Sequence, residues 1–185
     1  EVAALTAKAM GGTVLFQDAL AARLGVMRPS SLDIDRFLKV HPHLVTPGIP
    51  ELLDTLKSMG KKVFLVSGGF RQIIHPLADD LNIPRSHVFA NTIQFDRDNG
   101  SYTGFDSTEF TSRSGGKGEA VVHIKKEFGL KSIVMVGDGA TDAEAKQPGG
   151  ADLFIGYGGV VFREPIAERA DWYIMDIDEI RKSLI

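Results

Sequence analysis

Short apolar runs alternate with longer stretches of helical period along most of this chain. Lys62-Val63-Phe64-Leu65-Val66, Val88-Phe89-Ala90, Ser132-Ile133-Val134-Met135-Val136, Leu153-Phe154-Ile155 and Trp172-Tyr173-Ile174-Met175 are the apolar runs. They predict strands over 63–66, 88–90, 133–136, 153–155 and 172–175, with continuous hydrophobicity suited to burial on both faces. Between them the pattern predicts helices over 46–59, 72–80 and 117–128. The first of these opens at Thr46-Pro47-Gly48, with proline near the first turn. Such alternation predicts an α/β fold with a doubly wound parallel sheet. The opening of the chain reads differently. Residues 1–10, 16–24 and 32–40 predict three short helices, separated by Gly11-Gly12 and Arg28-Pro29-Ser30-Ser31. Thr92-Ile93-Gln94-Phe95 and Ser101-Tyr102-Thr103-Gly104 flank Asp98-Asn99-Gly100, the signal of a β-hairpin turn. Asn99-Gly100-Ser101 is a formal glycosylation sequon, but it reads as that turn alone.

Composition narrows the picture modestly. With 21 basic and 24 acidic residues the net charge is −3, which argues for neither nucleic acid nor an anionic membrane as partner. The absence of cysteine excludes disulfides and thiol catalysis. No apolar run approaches the ~20 residues of a membrane span. Glycine, at 20 of 185 residues, exceeds the roughly 7% average. The excess sits at strand ends, where a site built from loops needs it.

Three such ends carry candidate chemistry. The 133–136 strand runs into Gly137-Asp138-Gly139-Ala140-Thr141-Asp142. A carboxylate at the carboxyl end of a parallel strand lies where α/β proteins bind ligands. Hard cations such as Mg²⁺ take carboxylate oxygens, so Asp138 is a candidate ligand. The rival dinucleotide reading of Gly137-x-Gly139 fails at Asp142, whose side chain and charge suit neither close helix packing nor a pyrophosphate. The 63–66 strand stops at Ser67-Gly68-Gly69, where backbone N–H groups and a hydroxyl can close on an anion. Ser114-Gly115-Gly116-Lys117 opens a helix and offers Lys117 as a point charge for phosphate. Each segment alone is also an ordinary turn or surface stretch. The five histidines lack metal-ligand spacing, and His41 and His43 read as solvated.

In the order Ser-Gly-Gly, Gly-Gly-Lys and Gly-Asp-Gly-x-x-Asp, these segments resemble the second, third and fourth motifs of the haloacid dehalogenase superfamily. Ala9-Met10-Gly11-Gly12, Phe16 with Arg23-Leu24, Val66-Ser67-Gly68-Gly69-Phe70-Arg71, Phe89-Ala90-Asn91 and Gly104-Phe105-Asp106 are similar to its phosphoserine-hydrolysing branch. The similarity spans nearly all 185 residues. It implies a Rossmann-like parallel sheet with a small helical cap at 1–45, a core at 46–185 and a β-hairpin insert. It also implies Mg²⁺-dependent hydrolysis of the small molecule O-phosphoserine to serine and phosphate, the last step of serine biosynthesis. By the same resemblance Asp138 binds the metal, with Asp142 behind it. Lys117 and Ser67 join Asp138 in catalysis, and Ser67, Gly68, Gly69 and Lys117 bind phosphate. Met10, Gly11, Arg23 and Thr141 select the amino acid, Arg23 by meeting its carboxylate.

The family's first motif, Asp-x-Asp-x-Thr, does not occur in these residues. Asp33-Ile34-Asp35 follows a helix start, and Asp176-Ile177-Asp178 continues into Glu179-Ile180; neither is followed by threonine. The resemblance implies that the motif, with its nucleophile, its general acid and the first core strand, lies before Glu1. The chain alone is then expected to be inactive, to hold Lys117 and Arg23 without balancing acids, and to leave bare inner sheet edges. A non-catalytic phosphate-binding protein, an incomplete fragment, or a phosphatase for another small phosphomonoester are the competing readings. Cytoplasm or an organelle stroma, including the plastid, both fit; any targeting segment would precede Glu1.

Overall fold

The computed structural model describes residues 15–185, so the 1–10 helix, Met10 and Gly11 lie outside the described residues. Two compact units emerge. Of the described residues, the first comprises 15–43 and 65–116, the second 44–64 and 117–185. The 65–116 segment thus groups with the residues up to 43.

In the first unit, helix α1 (Phe16–Met27) is followed by α2 (Ser31–Val40). Ser30 starts α2 with a capping box. Its hydroxyl accepts the Asp33 N–H at 3.2 Å, while the Asp33 carboxylate accepts the Ser30 N–H at 2.9 Å. The Ser30 hydroxyl and N–H hold the Asp33 carboxyl below its usual range. Strand β1 (Leu65–Phe70), helix α4 (Arg71–Asp80) and strand β2 (Val88–Asn91) form a parallel β-α-β unit; α3 belongs to the second unit. Strands β3 (Ile93–Phe95) and β4 (Tyr102–Phe105) form the predicted hairpin. At its turn Gly100 takes a φ of +70°, the left-handed value that glycine adopts without penalty. The Asp96 carboxylate accepts from the Asp98 and Asn99 N–H groups at 3.0 and 3.1 Å. Leu20 and Leu24 on α1 are buried with Ile93 against this hairpin.

The second unit holds helix α3 (Ile49–Ser58) and helix α5 (Gly116–Glu127), the latter beginning at the unit boundary. Strands β5 (Val134–Gly137), β6 (Leu153–Tyr157) and β7 (Trp172–Ile174) form a parallel three-stranded sheet. Short helices α6 (Ala140–Ala143), α7 (Glu164–Ala167) and α8 (Asp178–Ser183) complete it. Neighbouring residues of a strand face opposite ways. Phe154 packs with Val121 and Met135, whereas Ile155 packs with Leu52, Ile174 and Ile180. The sheet is therefore covered by α5 on one face and by α3 and α8 on the other.

The parallel strands form two sheets, one in each unit. Two expectations are corrected. Strand β1 covers 65–70 instead of 63–66, so Ser67-Gly68-Gly69 lies inside the strand and not after it. Strand β5 is not buried on both faces. Met135 is 8% exposed, but Val134 and Val136 are 49% and 41% exposed, because β6 is its sole pairing neighbour among the described residues.

Candidate active site

The Ser67-Gly68-Gly69 segment is a bulge built into a parallel strand. Leu65 pairs with Val88 and Val66 with Phe89, but the next pair is Phe70 with Asn91. Four steps along β1 thus match two along β2, and the surplus residues are pushed out of the ladder. Asn91 holds the bulge from within. Fully buried, it donates through Nδ2 to the Gly68 carbonyl at 2.9 Å and accepts the Thr111 hydroxyl on Oδ1 at 2.9 Å. The Ser67 hydroxyl accepts the Gly69 N–H at 3.0 Å. Phe16 closes on the same place: a Cβ on Gly68 would stand 3.1 Å from Phe16 Cζ. Below the bulge, Arg71 grips the Glu109 carboxylate with two N–H groups at 2.9 Å each. Glu109 also accepts the Thr92 hydroxyl at 3.0 Å. The sequence motifs include Arg71 and Asn91 without giving them a role, and do not mark Thr111 or Glu109. Arg71 follows Gly69 by two residues, whereas Asn91, Glu109 and Thr111 lie 22, 40 and 42 residues beyond it; Asn91 comes to the bulge through strand pairing.

Arg23 projects from α1 and is partly exposed, with its Nε donating to the Ala19 carbonyl at 3.2 Å. That bond lays the side chain back towards the start of the helix, the direction helical side chains favour.

In the second unit, β5 ends at Gly137 and the chain turns through Asp138 and Gly139 into α6. Asp142 is 4% exposed and organises this turn. One of its oxygens accepts the Gly139 N–H at 3.0 Å; the other lies 2.6 Å from Lys117 Nζ. Its carboxyl group packs so tightly on Gly137 that a Cβ there would collide with it. Hence the spacing Gly137-x-Gly139-x-x-Asp142: a helix-capping acid folds back on the strand end, and only glycine leaves it room. Lys117 is therefore not an unbalanced charge, as the sequence had suggested. Asp142 neutralises it.

Asp138 points outward, its side chain 60% exposed, and the Arg163 guanidinium contacts both its carboxylate and its carbonyl oxygen. Thr141 is exposed one residue before Asp142. Among the described residues no group of three or more His, Asp or Glu side chains could hold a metal ion by itself. Mg²⁺, however, keeps several waters and takes only one or two carboxylates beside phosphate oxygens. A single outward carboxylate at a strand end fits it as one ligand.

These features can be set beside known proteins. The model of the haloacid dehalogenase-like hydrolases matches residues 1–150. This chain belongs to that family. It is 50% identical over 183 residues to the chloroplastic phosphoserine phosphatase of Arabidopsis thaliana, covering 99% of this chain and 62% of that protein. Against the phosphoserine phosphatase of Bos taurus the identity is 49% over 183 residues, covering 99% and 80%. Among solved structures, a phosphoserine phosphohydrolase-like protein from Francisella tularensis superimposes with a TM-score of 0.83 at 31% identity, covering all of this chain and 84% of the other. The family membership, the α/β fold and the branch inferred from the motifs are all supported. No helix of the described residues is long and apolar enough to cross a membrane.

Proposed function

We propose that this protein is a phosphoserine phosphatase, hydrolysing O-phosphoserine to serine and inorganic phosphate. The observation that carries the reading is the Gly137–Asp142 turn. It presents Asp138 outward while Asp142, from within, holds Lys117 by an ion pair of 2.6 Å. The names of the relatives favour a hydrolase over a non-catalytic binder.

In this reading the reacting carboxylate comes from an Asp-x-Asp-x-Thr segment, which these residues lack. It attacks phosphorus as serine departs, and water then releases phosphate from the acyl phosphate. Asp138 supplies one carboxylate oxygen to Mg²⁺. When bound, that ion offsets negative charge developing on the phosphoryl oxygens. Lys117 presents its ammonium to the phosphoryl group, and Asp142 fixes where the ammonium sits. Asp142 also sets the backbone from which Asp138 projects, acting on the ligand from behind it. Ser67, Gly68 and Gly69 meet phosphate oxygens with a hydroxyl and backbone N–H groups. Arg23 meets the substrate carboxylate, and Met10, Gly11 and Thr141 complete its selection. Residues 1–45 serve as the cap and 46–185 as the core. The cytoplasm or an organelle stroma is the compartment, a plastid being in line with the chloroplastic relative.

Kinetics of the full-length protein on O-phosphoserine, O-phosphothreonine, phosphoethanolamine and p-nitrophenyl phosphate test this. O-phosphoserine should give the highest kcat/KM. Arg23→Ala should lower kcat/KM for O-phosphoserine about ten- to hundredfold more than for p-nitrophenyl phosphate, since a charged hydrogen bond contributes roughly 1.5–3 kcal/mol. A preference for phosphoethanolamine, which has no carboxylate, would overturn the assignment.

A further inference from the structure

We propose that Ser114 is a positioning residue for substrate selection, closing a two-way hydrogen-bonded latch on the start of α1 and so aiming Arg23. The inference rests on the reading of Arg23 given above. Helix α1 begins without a cap of its own, because Leu15 precedes it and has no side chain that can accept the first N–H groups. Ser114 supplies the missing acceptor from 98 residues away: its hydroxyl oxygen takes the Phe16 N–H at 3.2 Å. The bond is returned, because the Ser114 N–H donates to the Gln17 side-chain oxygen at 3.3 Å. A capping box has the same reciprocity within one helix. Here it joins two distant segments, and so it fixes where the helix starts relative to the loop.

The latch lies at the bulge. Phe16, the residue whose N–H it holds, is the one seated against Gly68. Arg23 follows seven residues later, about two turns, and shares a face with Phe16. Its bond to the Ala19 carbonyl returns the side chain towards that end. A shift or rotation at Phe16 is therefore carried to the guanidinium. Apolar contact also anchors α1, with Leu20 and Leu24 packed against Ile93. Apolar contact is not directional and tolerates sliding, so the register falls to the hydrogen bonds. On the loop side, the Gly116 N–H donates to the Arg113 carbonyl at 3.1 Å, and a side chain on Gly116 would run into the Phe110 carbonyl.

Steady-state kinetics of the full-length protein test the latch through a ratio: kcat/KM for O-phosphoserine over kcat/KM for p-nitrophenyl phosphate. Ser114→Ala should lower the ratio about two- to twelvefold, the worth of one neutral hydrogen bond. Most of the change should fall on KM for O-phosphoserine. Ser114→Thr, which keeps the acceptor, should restore it. Gln17→Ala should act in the same direction, and the double variant should lose less than the two single losses combined. A ratio unchanged in both single variants, with Arg23→Ala still discriminating, overturns the latch alone. If Arg23→Ala also leaves the ratio unchanged, the carboxylate reading fails with it. Should Ser114→Ala not fold, Gln17→Ala removes the returned bond and decides the question.

Discussion

Lys117 Nζ lies 2.6 Å from one oxygen of Asp142, whose other oxygen caps the turn through Gly139 at 3.0 Å. The side chains are 20% and 6% exposed, so the pair is largely withdrawn from water. Removing one partner leaves the other as an uncompensated buried charge, at a cost of about 3–5 kcal/mol. Asp142→Ala is therefore expected to lower the urea midpoint sharply. Lys117→Met, which strands the carboxylate instead, should do so too. A loss below about 1 kcal/mol in both would show the pair to be solvated and peripheral.

Thr111 reaches the Ser67-Gly68-Gly69 bulge through Asn91. Thr111→Val keeps the shape but leaves the buried Asn91 carbonyl oxygen without its donor. An unsatisfied buried group costs about 1–3 kcal/mol. Equilibrium unfolding should register that loss, and Thr111→Ser should recover most of it. Equal destabilisation by serine and valine would point to packing of the methyl group instead.

Catalysis needs a nucleophile that these residues lack. A polypeptide of the 185 residues is expected to release no phosphate from O-phosphoserine, whereas one preceded by an Asp-x-Asp-x-Thr segment should. In the proposed reading Lys117 and Ser67 would bind the phosphoryl group and Asp138 the metal, but none of them attacks phosphorus. Turnover by the shorter polypeptide, purified free of contaminating phosphatase, contradicts this.

His75 makes stability depend on pH. It borders a cavity of about 330 Å³ with Ser31, Asp35 and Arg85, and its Nε2 is buried without a hydrogen-bond partner among the described residues. Burial, then the nearby Arg85 and Arg71 charges, push its pKa below 6.5, against a smaller opposing effect of Asp79. The unfolded chain therefore takes up this proton at a higher pH than the folded one. Stability should be full above pH 6.5 and decline as the pH falls below it. His75→Gln, which cannot titrate, should flatten the decline measured by urea unfolding between pH 7.5 and 5. An unchanged slope would assign the decline to other groups.

Apolar runs and turn residues were enough to determine the order of strands and helices, the hairpin at Asp98-Asn99-Gly100 and the helix start before Asp33. Each depends on neighbours a few residues apart, and local sequence carries that information. The three glycine-containing segments carried the family resemblance, because their order and spacing are local features of the sequence. Pairing across long separations was not legible. That Ser67-Gly68-Gly69 is a bulge within β1 follows from its register with β2, and Asn91 and Thr111 become its supports only through that register. Nor could the sequence show that Asp142 balances Lys117 from 25 residues away, or that Ser114 caps a helix 98 residues before it. Charge balance, burial and capping of this kind belong to residues that meet only when the chain has folded. Tertiary structure alone decided them.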